Sequence, residues 1–309
     1  MRAMVVGAPA PLGVAIVRAL LATPGIEHVL GVGIETDAGL PEDPRVDYRA
    51  VDLTHPRALH DLVWGDAKDA RIDTVVHCMQ HRRGSDRGRR IHAQNVEATR
   101  GLVVACREHP TIARIVYRSF AEVYGSTHTT SDLLDEDAAL DFGPTAPQWV
   151  RDRVEADLTV CAQLGGRVAI AVLRCAEVFA ADTGSQLWDY LQSRVCFRPL
   201  GFDPMINVLS LDDAARAFAA AAACTATGVF NIPGADTLPL SRAIAASRRA
   251  GVPIPGPAMT PLYALRRWIA GFDFRYDLNL RRFHFGGVLD GTRARTELGY
   301  APARHVAWP

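Results

Sequence analysis

Around Phe120, Trp149 and Arg153, few neighbouring side chains can move a proton. Ser119, Glu122, Tyr124 and Asp152 are the nearest hydroxyl or titratable groups, and Tyr124, ahead of Gly125 at the end of a strand-like run, is the best placed. The residues around them are poorly suited to that task. Phe120 offers no hydrogen bond, and the Trp149 indole N–H donates but does not titrate usefully. Arg153 keeps its charge and cannot surrender its proton near neutrality. Asp152, one step from Arg153 on a helix, is expected to point elsewhere, into solvent.

Other residues suit the binding of anions. Gly7-Ala8-Pro9-Ala10-Pro11-Leu12-Gly13 follows an apolar run and precedes a helical pattern, a turn that aims a helix N-terminus at phosphate. Ala10 adds a methyl group where backbone approaches closely, and Pro11 removes one N–H. Beyond the second apolar run, Glu35 can take the hydroxyls of an adenine ribose and would repel a 2′-phosphate, so NAD is favoured over NADP. Asp52-Leu53 suits an adenine pocket, although Asp52 equally suits the N-terminus of the next helix. His81 to Arg90 holds five arginines, Arg82 among them, and one acid. That loop can pair with a diphosphate or an acidic partner, or remain a solvated charged loop.

The elements needed to position these groups can be read from apolar periodicity. Strands are expected at 1–6, 28–34, 46–51, 72–78, 112–117 and 167–173, and helices at 12–21, 55–64, 88–108 and 148–164. Their alternation predicts an α/β fold, a doubly wound parallel Rossmann sheet. After Cys175 the alternation fades. Helices are expected at 211–223, 240–250 and 292–298, with a short strand at 229–232. The division expected is a dinucleotide-binding domain over 1–175 and an interleaved, smaller substrate or capping subdomain over 176–309.

Zero formal net charge gives no global pull toward nucleic acid or anionic membrane, and nucleic acid is not expected as a partner. Six scattered cysteines lack metal-ligand spacing and read as small hydrophobes in a reducing compartment. The first residues read as a strand rather than a leader, so a cytoplasmic location is expected and no metal is. Residues 264–276 and 281–285 interleave aromatics with arginines. This segment reads first as a core face of the capping subdomain with arginines outside, and second as a surface for a protein partner or a membrane.

Taken together, the Gly7 turn, Asp52-Leu53, Val75-Val76-His77, Asn95-Val96-Glu97, Val123-Tyr124-Gly125, Leu173-Arg174 and Leu211-Asp212-Asp213 resemble the extended short-chain dehydrogenase/reductase family, the NAD-dependent epimerase/dehydratases. More narrowly, Leu200-Gly201-Phe202-Asp203-Pro204 and Leu289-Asp290-Gly291-Thr292-Arg293 resemble a bacterial subgroup labelled UDP-glucose 4-epimerase-like. The resemblance implies a Ser/Tyr/Lys triad, whose positions here are Phe120, Trp149 and Arg153. Tyr124 is the substitute candidate. It also implies cofactor contacts at Gly7, Ala10, Leu12, Gly13, Glu35, Asp52, Leu53, Cys78, Met79, Arg82, Asn95 and Arg153. A homodimer through the helices 88–108 and 148–164 is expected of the family. Loss of a positioned acid–base and of an oxyanion donor removes roughly 5–9 kcal/mol of transition-state stabilisation. The expected role is therefore binding of a dinucleotide or nucleotide-sugar for sensing, regulation or scaffolding. The alternatives are an NAD-dependent epimerase/dehydratase or reductase with a non-standard acid–base pair, and a cofactor-free interaction protein.

Overall fold

The computed structural model describes residues 1–81, 83–125, 133–270 and 274–309, with the side chain of residue 270 left aside. In chain order the elements are β1 (Arg2–Val6), α1 (Pro11–Leu21), β2 (His28–Gly33), β3 (Val46–Ala50), α2 (Pro56–Asp61), β4 (Thr74–His77), α3 (Arg89–His92), α4 (Ala98–Glu108), β5 (Arg114–Phe120), β6 (Leu133–Leu134), α5 (Gln148–Cys161) and β7 (Ala169–Cys175). They continue with β8 (Glu177–Val178), α6 (Gln186–Leu191), β9 (Val195–Pro199), β10 (Met205–Leu209), α7 (Leu211–Ala223), β11 (Gly228–Ile232), β12 (Asp236–Pro239), α8 (Leu240–Ala246), β13 (Ala250–Ile254), α9 (Gly256–Ala270), α10 (Leu280–His284), β14 (Val288–Leu289) and α11 (Thr292–Leu298).

Seven strands form one sheet in the order β11-β7-β5-β4-β1-β2-β3, and every pairing in it is parallel. Such a sheet must be covered on both faces. One face carries α1 and α7 over Ala3, Val5, Val116, Leu173 and Phe230. The other carries α2, α4 and α5 over Met4, Val6, Val75, Ile115 and Val172. Chain order reverses between β1 and β4, where an open α/β sheet leaves its ligand crevice.

The expected helix over 88–108 is α3 joined to α4 through a π turn, Ala93–Glu97. The helix expected over 55–64 likewise continues from α2 into a π stretch, Leu62–Ala67. The helix expected over 240–250 stops at Ala246, and Arg248 takes φ 54°, a left-handed turn that leads into β13.

After β7 the chain builds a smaller layer over the carboxyl edge of the sheet. It contains the three-stranded sheet β12-β10-β8 and the parallel pairs β13-β9 and β14-β6. Its core is aromatic: Tyr190, Tyr263, Phe274, Tyr276 and Phe283 are buried together. The chain crosses between layers, because β11 joins the large sheet while β6 pairs with β14.

Candidate functional site

A cleft of about 590 Å³ lies over the carboxyl ends of β1, β2 and β4, lined by Gly7, Pro9, Ala10, Gly33, Ile34, Glu35, Met79, Gln80, His81, Arg83 and Arg90 among others. Gly7 holds φ 93°, and a Cβ there would lie 2.7 Å from the backbone N of Met79. Only glycine lets the turn nest against the end of β4. Ala10 precedes Pro11, the first residue of α1, and Leu12 and Gly13 are buried in the first turn. Gly33 is the last residue of β2 and lines the cleft. A Cβ there would meet the Pro9 ring at 2.5 Å, so the Pro-rich turn and the small residue require one another. Glu35 lines the cleft, and its Oε2 accepts from the Ile34 N–H at 3.1 Å.

Other candidate contacts are engaged elsewhere. The Asp52 carboxylate accepts from the Thr54 N–H and hydroxyl at 2.9 and 2.6 Å and lies 3.3 Å from His55. Leu53 is packed into the core between sheet and helices. Cys78 is buried, and burial pushes its thiol up to about 12. Asn95 accepts from the His81 N–H at 3.0 Å and so anchors the start of the basic loop. His81 pairs with Asp86 at 2.7 Å, and Arg83 and Arg90 face the cleft. Arg82 lies outside the described residues.

Phe120, Trp149 and Arg153, the positions that the resemblance assigns to a triad, meet. The Arg153 guanidinium lies 4.0 Å from the Phe120 ring centre and 4.6 Å from that of Trp149. Its Nη1 is 3.2 Å from Glu122 Oε2. Gln80, with its amide oxygen turned toward the guanidinium, accepts from Nε at 2.8 Å and Nη2 at 2.5 Å. Burial draws the Arg153 guanidinium down to about 10 while Glu122 opposes the shift, so it remains a cation at neutral pH. Arg118 lies over the same Phe120 ring at 4.7 Å. Glu122 also faces Arg282 at 3.5 Å, and Arg282 pairs with Glu177. Each cation–π contact contributes about 0.5–2 kcal/mol, the larger values belonging to desolvated pairs such as this.

A second pocket of about 260 Å³ lies on the other side of this stack, lined by Glu122, Tyr124, Asp141, Trp149, Leu278, Asn279, Arg281 and Arg282 among others. Gln80 borders the first cleft, Trp149 and Glu122 border the second, and Arg153 joins them.

The stand-in acid–base candidates are tied down. The Tyr124 hydroxyl donates to Asn231 Oδ1 at 2.6 Å and accepts from Arg174 Nη1 at 3.1 Å. Burial pushes its pKa up to about 12 despite Arg174. Ser119 donates to Asp157, whose carboxylate also holds Arg174 at 2.8 Å. Asp152 corrects the sequence expectation. It is not solvated but 3% exposed, with Oδ1 3.0 Å from His92 Nδ1. The partner comes from α3, sixty positions away. Sequence reasoning also missed Gln80 and Arg282 as partners of the central cluster. Glu122, two residues after Phe120, was the available signal for an arginine partner.

The aromatic-basic segment divides. Phe274, Tyr276 and Phe283 form the capping core, whereas Trp268 is 84% exposed. All six cysteines are free thiols. Among the described residues no cluster of ligand-type side chains could hold a metal ion, and no helix is long and apolar enough to cross a membrane.

Comparison with known proteins agrees with this architecture. Residues 4–155 match the model of the 3-beta hydroxysteroid dehydrogenase/isomerase family. The chain is 29% identical to the uncharacterized protein Rv0501 of Mycobacterium tuberculosis, over 97% of this chain and 79% of that one. Among solved structures it resembles a UDP-glucuronic acid 4-epimerase from Bacillus cereus in complex with NAD, with TM-score 0.72, 18% identity, and 99% and 94% of the two chains covered. It also resembles DesIV, a dTDP-glucose 4,6-dehydratase from Streptomyces venezuelae with NAD and TYD bound, with TM-score 0.72, 19% identity, and 99% and 93% covered. The family's sequence pattern therefore covers residues 4–155, and the fold of these solved structures extends over nearly the whole chain.

Proposed function

We propose that this protein binds NAD in the groove above β1 and a nucleotide-sugar in the neighbouring pocket, and that it senses or scaffolds these ligands without turning them over by the standard hydride route. The observation that supports this reading is the closed stack of Phe120, Arg153 and Trp149, braced by Glu122 and Gln80. Family enzymes need a hydroxyl or phenol that exchanges a proton there. The described site instead offers a guanidinium held charged and a Tyr124 hydroxyl shared between two partners.

The groove suits the cofactor. Its volume accepts an extended dinucleotide, Arg83 and Arg90 can neutralise a diphosphate, and Glu35 disfavours a 2′-phosphate. When bound, NAD would bring a hydride acceptor, and this chain's residues would bind and orient it. The similar solved proteins in complex with NAD, UDP-glucuronic acid or TYD support these ligand classes.

The homodimer is proposed through α4 and α5, which pack side by side with Arg100 and Glu155 3.1 Å apart and leave Val104 and Leu158 exposed. A second reading, an epimerase/dehydratase with a rebuilt acid–base pair, is favoured by Glu122, a carboxylate that lines the second pocket at the end of β5.

Calorimetric titration with NAD, NADP and UDP-sugars, followed by product analysis, separates these readings. Binding of NAD without reduced nicotinamide or altered sugar supports the sensor. Turnover abolished by Glu122→Gln or Tyr124→Phe supports the enzyme, and absence of any binding heat supports a cofactor-free interaction protein.

A further inference from the structure

Between Asp236 and Asp273 the chain carries five arginines, Arg242, Arg248, Arg249, Arg266 and Arg267, and no acidic side chain. The fold gathers four of them with Arg194 at one corner of the capping subdomain. The Arg249 Nε donates to Leu191 O at 3.0 Å, the Ala250 N–H donates to Arg194 O at 3.1 Å, and Arg266 Nη1 donates to Val195 O at 2.6 Å. Arg248 and Arg267 are the chain neighbours of two of these groups, and both are exposed. Arg194, Arg248, Arg249 and Arg267 form no ion pair with any described residue.

The last turns of α9 lie beside this collar. The helix buries Met259 and Tyr263 in the capping core. On another face it presents Leu265, Trp268 and Ile269 at 51%, 84% and 68% exposure. Spacings of three and four residues place these side chains on one side of the helix. A soluble surface seldom presents a Trp, an Ile and a Leu together, and a rim of cations matches the headgroups of acidic lipids.

We propose that this corner is a membrane-surface docking site, which lays Leu265, Trp268 and Ile269 into the interface of an anionic bilayer while the arginines pair with lipid phosphates. A bilayer fits better than a nucleic acid, because Leu265 and Ile269 have no role against bases or a phosphate backbone. It fits better than an acidic protein segment because Trp268 stands out from the surface rather than lining a groove. The proposal is independent of the ligand reading above.

The test is co-sedimentation of the full-length protein with vesicles of phosphatidylcholine alone or mixed with phosphatidylglycerol, at low and high salt. The expected result is binding to the acidic vesicles only, weakened by salt. Arg248→Ser and Arg267→Ser should each lower the partition coefficient roughly five-fold, the equivalent of about 1 kcal/mol per surface arginine. Trp268→Ala should lower it about ten-fold or more. These side chains are exposed, so circular dichroism and the melting midpoint should match the parent protein. Absence of binding to acidic vesicles overturns the proposal, as does binding indifferent to Trp268→Ala. A dimer in solution that Trp268→Ala dissociates would assign the surface to a second copy. Oligonucleotide binding that ignores both Trp268→Ala and Ile269→Ser, with vesicles not bound, would assign it to nucleic acid.

Discussion

Replacing Glu122 by Gln tests whether Arg153 is a structural wedge. Glu122 faces Arg153 at 3.2 Å and Arg282 at 3.5 Å, and its side chain and that of Arg153 are almost sealed from water. Three guanidiniums, Arg118, Arg153 and Arg282, share this space with two carboxylates, Glu122 and Glu177. Removing one carboxylate leaves a buried cation without its counter-charge, which costs about 3–5 kcal/mol in comparable settings. The Gln oxygen still accepts a hydrogen bond, so about 3 kcal/mol is expected. Arg153→Met should cost less, because it removes the charge together with its desolvation and leaves Glu122 with Arg282. Combining both substitutions should recover part of the Glu122→Gln loss, a coupling of about 1.5–3 kcal/mol. Urea unfolding measures this as a midpoint shift at unchanged slope. A Glu122→Gln loss below about 1 kcal/mol, or a double variant no more stable than Glu122→Gln, would refute the wedge.

Further outcomes follow from the same geometry. Tyr124→Phe leaves Asn231 Oδ1 short of its donor and should destabilise the fold by about 1–3 kcal/mol while leaving calorimetric NAD binding unchanged. Gly7→Ala forces a Cβ against Met79 and should abolish NAD binding in the same titration, whereas Ala10→Gly should tighten it. Burial pulls the His77 imidazole down to about 4, so the unfolded chain binds the extra proton between that value and the ordinary 6.5. Stability should therefore fall as pH drops through that window, by up to roughly 3 kcal/mol, and unfolding of His77→Gln should show a flatter pH profile.

The sheet was legible because its buried parallel strands are short apolar runs, some of them, such as β1 and β4, leading into a helix with an apolar stripe. The π turn at Ala93–Glu97 was not, because one extra residue in a turn leaves the apolar spacing of 88–108 almost unchanged. Arg248 ended a helix that periodicity would have continued, since its left-handed conformation carries no composition signal. At the site, residue types alone gave the expectation that Phe120, Trp149 and Arg153 do not serve as acid or base. Their stacking did not follow from type, because it depends on β5 and α5 being brought face to face. Asp152 was misread for the same reason: its partner His92 arrives from another helix. The arginine–aromatic alternation over 264–285 hid two fates, a buried aromatic core and an exposed helix end, which only the packing of α9 separates.

The site around Phe120, Trp149 and Arg153 is proposed to hold ligands without exchanging protons. The most direct measurement is a single-turnover experiment. Stoichiometric protein and NAD are mixed with UDP-glucose or UDP-glucuronic acid, while nicotinamide absorbance is followed and the sugar is recovered. A binding signal, an unchanged nicotinamide spectrum and the starting sugar returned intact are expected; reduced nicotinamide formed in step with an oxidised or epimerised sugar would show that the site does exchange protons.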